Sequence, residues 1–166
     1  DISSGAVSTS INSKGILKIS LDKSENSIFN FESLLNENSI NIDYIKDNNL
    51  TSIMLYTSGT TGIGKGVPRS HFAERSAAIA HIAQNHYVYK ENTLGVMPLY
   101  HTMGVRLLLS MCIINGCFIC QPKFGSDQAL KLINKEKITS LYLVPTLYHD
   151  LISNKKFSVS LIKTVK

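Results

Sequence analysis

Apolar runs rich in β-forming residues alternate with helical segments from residue 52 onward, and this alternation constrains the fold more than any other feature of the chain. The runs cover residues 52–57, 93–97, 117–121 and 140–144. Strands that are separated by helices form crossover connections, which align neighbouring strands in parallel. The sequence therefore predicts an α/β fold in which helices flank a mainly parallel sheet.

Boundary signals between these runs predict three helices. Ser70 can cap a first helix that reaches about Tyr87. Its apolar stripe is expected to contain three side chains: Phe72, Ile79 and Ala83. Residues 103–114 predict a buried second helix that stops at Asn115-Gly116, and a third helix is expected to start at Ser126. The third helix should direct three apolar side chains inward: Ala129, Leu130 and Ile133.

A segment of hydroxyl residues, glycines and one lysine follows the first predicted strand. Its chemically important members are Thr57, Ser58, Gly59, Thr60, Thr61, Gly62 and Lys65. Glycines allow successive backbone N–H groups to turn toward an anion, hydroxyls add donors, and a lysine adds a mobile positive charge. The segment predicts a phosphate-binding loop and, through it, nucleotide chemistry.

Two common phosphate-binding motifs fit this segment incompletely. Residues 59–65 satisfy the G-x-x-x-x-G-K spacing of a Walker loop, but Gly66 stands where Ser or Thr should hold Mg²⁺. Pro68 also favours extended chain just after the lysine, whereas a Walker loop runs directly into a helix. Glycines 62, 64 and 66 do not give a dinucleotide fingerprint. A non-enzymatic, P-loop-like nucleotide-binding module stays open as an alternative, as does an interaction domain with a degenerate site.

The run from Tyr56 to Val67, with Ser70-His71 after it, resembles the phosphate loop of the adenylate-forming superfamily. This superfamily contains acyl-CoA and aryl-CoA synthetases, peptide-synthetase adenylation domains and luciferases. Gly64 stands where the family usually has proline, which restores φ freedom to the loop. Weaker matches extend the resemblance over roughly residues 47–166, and it is clearest over residues 54–104.

A second block, residues 97–104, resembles the proline–aromatic–histidine segment of the same family, which opens the helix beside the acyl pocket. The resemblance implies that His101 lies at the mouth of the carboxylate and pantetheine channel. It also assigns Tyr100, Met103 and Gly104 to the acyl path. Without the family context, His101 would fit a structural histidine at a helix start.

The reaction implied by the resemblance is that of a fatty or aryl acid–CoA ligase. A carboxylic acid reacts with ATP to give an acyl-adenylate, and coenzyme A then accepts the acyl group. Thr57 to Gly62 and Lys65 would hold the β- and γ-phosphates, while Lys65 and His101 would be the catalytic residues. ATP, Mg²⁺ and coenzyme A are the implied ligands. The rest of the parent enzyme is the implied partner, so we expect this chain alone to be inactive.

The sequence predicts two parts with different organisation. Residues 1–50 are expected to form an irregular N-terminal segment from the preceding part of the domain, with a weak strand over residues 16–20, a short helix over residues 29–35 and an asparagine-rich connector over residues 36–49. Residues 51–166 are expected to form an α/β phosphate-loop subdomain that is incomplete at its C-terminus.

Cysteine and histidine spacing predicts no metal site. The three cysteines, Cys112, Cys117 and Cys120, are an odd number that disfavours a disulfide framework and predicts a cytoplasmic location. Cys117 and Cys120 lie three apart in a predicted strand and should face opposite sides, so we expect them to pack rather than bind a metal. His81 and His86 lie five apart on a predicted helix and should be surface residues.

The formal net charge of +5 raises the possibility of nucleic-acid binding. No zinc finger, helix-turn-helix or aromatic-interleaved basic repeat accompanies that charge, so no nucleic-acid partner is predicted. The longest apolar stretch, residues 103–114, falls short of the ~20 residues that a membrane span needs. The start of the chain lacks a signal-like apolar segment, which predicts that the protein is not secreted.

Overall fold

The computed structural model describes residues 19–20, 29–30, 47–57 and 64–166. The chain divides into two compact units, Asp1–Tyr44 and Ile45–Lys166. In the first unit, strand β1 (Ile19–Ser20) pairs in parallel with β2 (Phe29–Asn30). The prediction of a helix over residues 29–35 is therefore wrong at its start, and the remainder of that segment lies outside the described residues.

The second unit contains an antiparallel hairpin of β3 (Thr51–Thr57) and β4 (Lys65–Ser70). The register places Thr57 opposite Lys65 and Leu55 opposite Val67. The prediction that β3 belongs to the parallel sheet is wrong. Adjacent strands joined by a short connection pair antiparallel, because a parallel pair needs a crossover of a dozen or more residues. The expectation of extended chain around Pro68 is confirmed, and proline is tolerated here since β4 pairs with no strand other than β3 among the described residues.

The other three predicted strands form one parallel sheet. Strand β5 (Asn92–Gly95) lies at the centre, with β6 (Cys117–Cys120) on one side and β7 (Ser140–Leu141) on the other. The chain moves from β5 to β6 and then crosses back over β5 to reach β7. This reversal of direction is a topological switch point, and open α/β sheets bind ligands at the carboxyl ends of strands beside such a point.

The part of the chain that the structure describes also contains four α-helices and one 3₁₀ turn. They are α1 (His71–Gln84), α2 (Thr102–Ile113), α3 (Ser126–Lys135), α4 (Pro145–Ile152) and the 3₁₀ turn Val159–Ile162. The predicted cap of α1 is confirmed, because the Ser70 hydroxyl oxygen accepts a hydrogen bond from the Ala73 N–H at 3.2 Å. The α/β fold class is likewise confirmed.

The core of the second unit lies between β5 and α3. Leu94 is fully buried and shares a cluster with the inward face of α3, namely Ala129, Leu130 and Ile133. That face matches the sequence prediction. Burying each large apolar side chain contributes roughly 1.5–3 kcal/mol, so this cluster fixes the centre of the sheet. Helix α2 packs against β5, β6 and α1, and the Ser110 hydroxyl donates to the Ala78 carbonyl at 3.2 Å.

The predicted apolar stripe of α1 is wrong. Phe72 and Ile79 are exposed, whereas Glu74, Ala78 and His81 are buried. Helix α1 contacts the hairpin and α2, and these neighbours supply polar partners for its inward face. Arg69 of β4 forms an ion pair with Glu74. A buried carboxylate is tolerated when a charged group compensates it, so the pairing selects a different helix face from the one that hydrophobicity alone indicates.

The prediction that His81 is a surface residue is also wrong, although His86 is exposed as expected. His81 is only 4% exposed, and its ring lies edge-on to Tyr87 and Tyr142, with centroid distances of 5.3 and 4.4 Å. Burial, and secondarily the positive charge of Arg106, lowers the pKa of His81 below its ordinary value. His81 is therefore a neutral core residue.

A buried carboxylate lies next to the first residue of β5. Glu91 accepts hydrogen bonds from the Val88 N–H at 3.1 Å and from the Lys166 ammonium at 3.4 Å. Burial by itself would raise the pKa of Glu91. The Thr139 hydroxyl, the Val88 N–H and Lys166 outweigh burial and lower that pKa below its ordinary value.

Cys117 and Cys120 do not pack as predicted, since both are exposed free thiols, as is Cys112. Within the described ranges, no group of three His, Cys, Asp or Glu side chains is placed to hold a metal ion. No helix in the same part of the chain is long and apolar enough to span a membrane.

Candidate functional site

The hairpin brings together the first and last residues of the predicted phosphate-binding segment. Thr57 and Lys65 are direct partners across β3 and β4, and the Thr57 hydroxyl donates to the Lys65 carbonyl at 3.4 Å. Both side chains are exposed. The other predicted phosphate-binding residues, Ser58, Gly59, Thr60, Thr61 and Gly62, lie outside the described residues. The chain thus leaves and re-enters the hairpin at paired positions, with a lysine on one side and a hydroxyl on the other.

The direction of the chain after Lys65 separates this hairpin from a Walker loop. Lys65 is the first residue of strand β4, and α1 begins only at His71. In a Walker loop the lysine is followed directly by a helix whose N-terminus faces the phosphates. The P-loop alternative is therefore not supported.

Gly64 does not need to be glycine for backbone reasons. Its φ lies outside the left-handed region, and a Cβ at this position would meet the Thr57 carbonyl oxygen at an ordinary 3.6 Å. Replacing the usual family proline by glycine therefore changes the stiffness of the chain at the base of the loop and not the space available there.

His101 is the N-cap of α2. Its backbone is extended, with φ −116° and ψ 145°, and its Nδ1 accepts a hydrogen bond from the Met103 N–H at 3.3 Å. The His101 N–H donates to the Pro98 carbonyl at 3.0 Å, and its carbonyl accepts from the Val105 N–H at 3.2 Å. The side chain is exposed. His101 thus has the capping role of a structural histidine while its imidazole still faces solvent.

The other predicted substrate residues lie around this cap in different environments. Tyr100 is 81% exposed, and Met103 is half-buried. Gly104 is buried against the loop before α2, where a Cβ would lie 2.3 Å from the Pro98 carbonyl oxygen and 2.5 Å from that of Met97. The structure therefore groups Tyr100, His101, Met103 and Gly104 at one helix start. Helix α1 contacts both α2 and the hairpin.

A cavity of about 320 Å³ opens at the carboxyl ends of β5 and β6, next to the cap. Residues 95–100 form one wall, and Phe118 and Gln121 contribute to the other. Gln121 is buried and donates from Nε2 to the Gly125 carbonyl at 3.1 Å, while its Oε1 has no partner among the described residues. Sequence reasoning did not select Phe118 or Gln121. The available signal was their place at the end of a strand that neighbours the strand before His101.

A second cavity of about 380 Å³ lies between the start of α1 and α2. His71, Glu74, Arg75 and Cys112 are among its lining residues. The sequence predicted no site there, although His71 is part of the phosphate-loop resemblance.

The family model described as AMP-binding enzyme matches residues 7–165 of the chain. The chain is 35% identical over 100 residues to 2-succinylbenzoate–CoA ligase, chloroplastic/peroxisomal, of Arabidopsis thaliana, a match that covers 60% of this chain and 18% of the relative. It is 30% identical over 132 residues to probable 4-coumarate–CoA ligase 3 of Dictyostelium discoideum, covering 75% of this chain and 23% of the relative. The matches thus span less than a quarter of the length of these relatives.

The chain is also similar to solved structures. ATP-bound MatB from Rhodopseudomonas palustris is 27% identical with a TM-score of 0.64, covering 72% of this chain and 24% of that one. O-succinylbenzoate coenzyme A synthetase (MenE) from Bacillus subtilis, in complex with ATP and magnesium ion, has a TM-score of 0.72 over 85% of this chain and 30% of that one. Its identity of 21% shows the fold alone. Because the family model covers nearly the whole chain, this protein belongs to the AMP-binding, or adenylate-forming, enzyme family.

Proposed function

We propose that this chain carries the triphosphate-binding hairpin and part of the acid site of an acid–CoA ligase. In the first half-reaction, a carboxylate oxygen bonds to the α-phosphorus of ATP, and the bond from that phosphorus to the bridging oxygen breaks to release pyrophosphate. In the second, the thiol sulfur of coenzyme A bonds to the acyl carbon, and AMP leaves. Relatives named as CoA ligases support this reaction class.

The pairing of Thr57 with Lys65 is the observation that carries the proposal. A hairpin that closes at these two residues holds the lysine at one base of the hydroxyl- and glycine-rich segment. An ammonium group there would offset the negative charge that grows on pyrophosphate as it leaves, and backbone N–H groups of residues 58–62 would add donors. Removing one such stabilising group typically lowers kcat by about 10²–10³-fold.

His101 supplies the acid-binding end of the proposed site. Because the backbone N–H of Met103 can only donate, Nδ1 of His101 is an acceptor and the ring proton lies on Nε2. An exposed Nε2–H can donate to a carboxylate oxygen of the acid or to its adenylate. Tyr100, Met103 and the apolar wall of residues 95–100 would contact the acyl group, which fits a fatty or aryl acid.

We propose that Mg²⁺ would bind together with the phosphates of ATP. The described residues contain no cluster of metal ligands, and Mg²⁺ is usually held by substrate phosphates together with one or two carboxylates. When bound, the ion would supply positive charge to the phosphates. Thr57 and Lys65 would bind oxygens of the same phosphates.

The adenine and ribose sites and the rest of the coenzyme A channel are proposed to lie in the remainder of the parent enzyme. We therefore propose that the isolated chain does not form acyl-adenylate. No nucleic acid has a role in this reaction. The cytoplasmic location stays a prediction, and the Arabidopsis relative is named chloroplastic/peroxisomal.

Carboxylate-dependent exchange of pyrophosphate into ATP tests the proposal in the full-length protein, with a panel of aryl and fatty acids. Lys65→Ala should lower the exchange rate by about 10²-fold or more. Lys131→Ala is the matched control, because Lys131 is an exposed lysine on α3, far along the chain from the hairpin. Full exchange activity in Lys65→Ala would overturn the assignment of the hairpin.

A further inference from the structure

The turn that leads into α2 is held by contacts between backbone groups. The His101 N–H donates to the Pro98 carbonyl at 3.0 Å, and the same carbonyl oxygen lies against Gly104. The Met103 N–H donates to the His101 imidazole at 3.3 Å. The contacts of His101, Met103 and Gly104 at the helix start therefore depend on how closely α2 approaches the Pro98 carbonyl.

We propose that Gly104 is a positioning residue for His101, and that the Met103 N–H holds the imidazole as a fixed Nε2–H donor toward the acid. This inference rests on the proposed function. The sequence assigned Gly104 to the acyl path. The role proposed here is different: Gly104 lets the start of α2 lie close enough to the preceding loop for the cap to form.

The limited space around Gly104 explains why this position requires glycine. A Cβ would lie 2.3 Å from the Pro98 oxygen and 2.5 Å from the Met97 oxygen, and both of these are backbone atoms that cannot rotate away. Cβ contacts shorter than 3.0 Å are essentially absent from real structures. Any side chain at position 104 must therefore move the start of α2 away from the loop. Misplacement of a reacting group by about 1 Å can cost about 10²-fold in rate.

The Met103 N–H fixes the direction and the chemistry of the ring. Residue 103 lies in the first turn of α2, where backbone N–H groups have no partner within the helix. By accepting this N–H, Nδ1 cannot carry a proton in the neutral ring, so His101 meets a substrate through Nε2–H. The ring then acts as a donor that orients the acid, and it does not remove a proton from it.

Three substitutions distinguish the effect of the helix cap from the effects of the side chains at positions 103 and 104. Gly104→Ala displaces the helix start. Met103→Pro removes the N–H at a helix position where proline is tolerated. Met103→Ala removes the same side chain but keeps the N–H, so it is the matched control for Met103→Pro.

Nitrogen-15 spectra and ring carbon relaxation of His101 in the chain test the cap without any ligase activity. At about pH 8 an ordinary imidazole is neutral. The unsubstituted chain and Met103→Ala should show a proton on Nε2 and an ordered ring, whereas Met103→Pro and Gly104→Ala should show a mobile ring. A proton on Nδ1, or equal ring order in Met103→Pro and Met103→Ala, would overturn the proposal.

Kinetics in the full-length protein test the consequence for the proposed reaction. Gly104→Ala should lower kcat for pyrophosphate exchange by about 10²-fold while KM for ATP stays unchanged. Met103→Pro should lose at least about tenfold more kcat than Met103→Ala. Gly125→Ala should leave kcat unchanged, because position 125 has open space around it. If Gly104→Ala fails to fold, the comparison of Met103→Pro with Met103→Ala still tests whether the Met103 N–H positions His101.

The two proposals fail in different ways. An ordered cap combined with equal kcat in Met103→Pro and Met103→Ala would refute the positioning role and leave the ligase assignment intact. If every variant, including Lys65→Ala, kept full pyrophosphate exchange activity, the assignment of the ligase site itself would be refuted.

Discussion

Replacing Gly116 by alanine is expected to destabilise the chain, because the added methyl group would meet a backbone carbonyl oxygen. Gly116 lies between the end of α2 and β6, and its N–H donates to the Met111 carbonyl at 2.8 Å. The next residue, Cys117, donates to the Glu91 carbonyl at 2.8 Å. This short connection sets the distance between the end of α2 and the sheet.

The magnitude follows from the contacts that a methyl group would meet. A Cβ at position 116 would lie 2.6 Å from the Glu91 carbonyl oxygen and 2.9 Å from the Met111 sulfur. The backbone oxygen cannot rotate away, so the sheet and helix must separate by several tenths of an ångström. Overpacking of this kind costs about 1–3 kcal/mol, and strain on the adjacent hydrogen bonds adds up to about 1 kcal/mol. We expect a total loss of about 1–4 kcal/mol.

Gly125→Ala is the matched control. Gly125 also precedes a regular element and also has φ outside the left-handed region, at −151°, but no heavy atom lies within 4 Å of its would-be Cβ. A small loss of N-cap preference opposes a gain in backbone stiffness, so the net change should be within about 0.5 kcal/mol.

Urea unfolding followed by far-UV circular dichroism measures both variants, since the chain has seven tyrosines but no tryptophan. With an m-value of about 2 kcal/mol/M, Gly116→Ala should lower the midpoint by about 0.5–2 M, whereas Gly125→Ala should shift it by about 0.25 M or less. Equal midpoints for the two variants would refute the steric reasoning.

Three further predictions concern pH and the base of the loop. The free energy of unfolding should fall as pH drops below 6.5, because the unfolded chain protonates His81 more readily than the folded one; His81→Phe should flatten this part of a stability–pH curve. A second loss should follow as pH falls below 4.5 and through the lowered pKa of Glu91, and Glu91→Gln should remove that pH-dependent step; a step of unchanged size in acid urea titrations would contradict the role of Glu91. Gly64→Pro should raise the free energy of unfolding by about 0.4–1 kcal/mol relative to Gly64→Ala by restricting the unfolded chain, and a loss would show that position 64 needs a conformation that proline cannot adopt.

Local sequence signals were sufficient where an element depends on its own residues. Helix α3 begins at Ser126 and buries Ala129, Leu130 and Ile133 as predicted, since its apolar spacing already defines one face. The Ser70 cap is confirmed for the same reason. The hairpin was missed because the Lys65–Ser70 segment has no alternating apolar pattern, and its pairing with β3 depends on the register between two strands.

The features that could not be predicted from the sequence depend on tertiary contacts. His81 is buried by Tyr142, and Glu74 by its pairing with Arg69 of the hairpin. At the candidate site, the motif that resembles a family loop led to Thr57 and Lys65, which the structure pairs. Phe118 lines the cavity only because of the register between β5 and β6, which no local pattern specifies.

Titration of the isotopically labelled chain with tripolyphosphate, followed by amide chemical shifts, tests the central claim most directly. The account predicts that the largest saturable shifts occur at Thr57, Gly64, Lys65 and Gly66 and that Lys65→Ala abolishes them. Shifts confined to the exposed lysines near the C-terminus, Lys155, Lys156 and Lys163, would show that the anion binds by general charge attraction. That result would contradict the hairpin as the phosphate site.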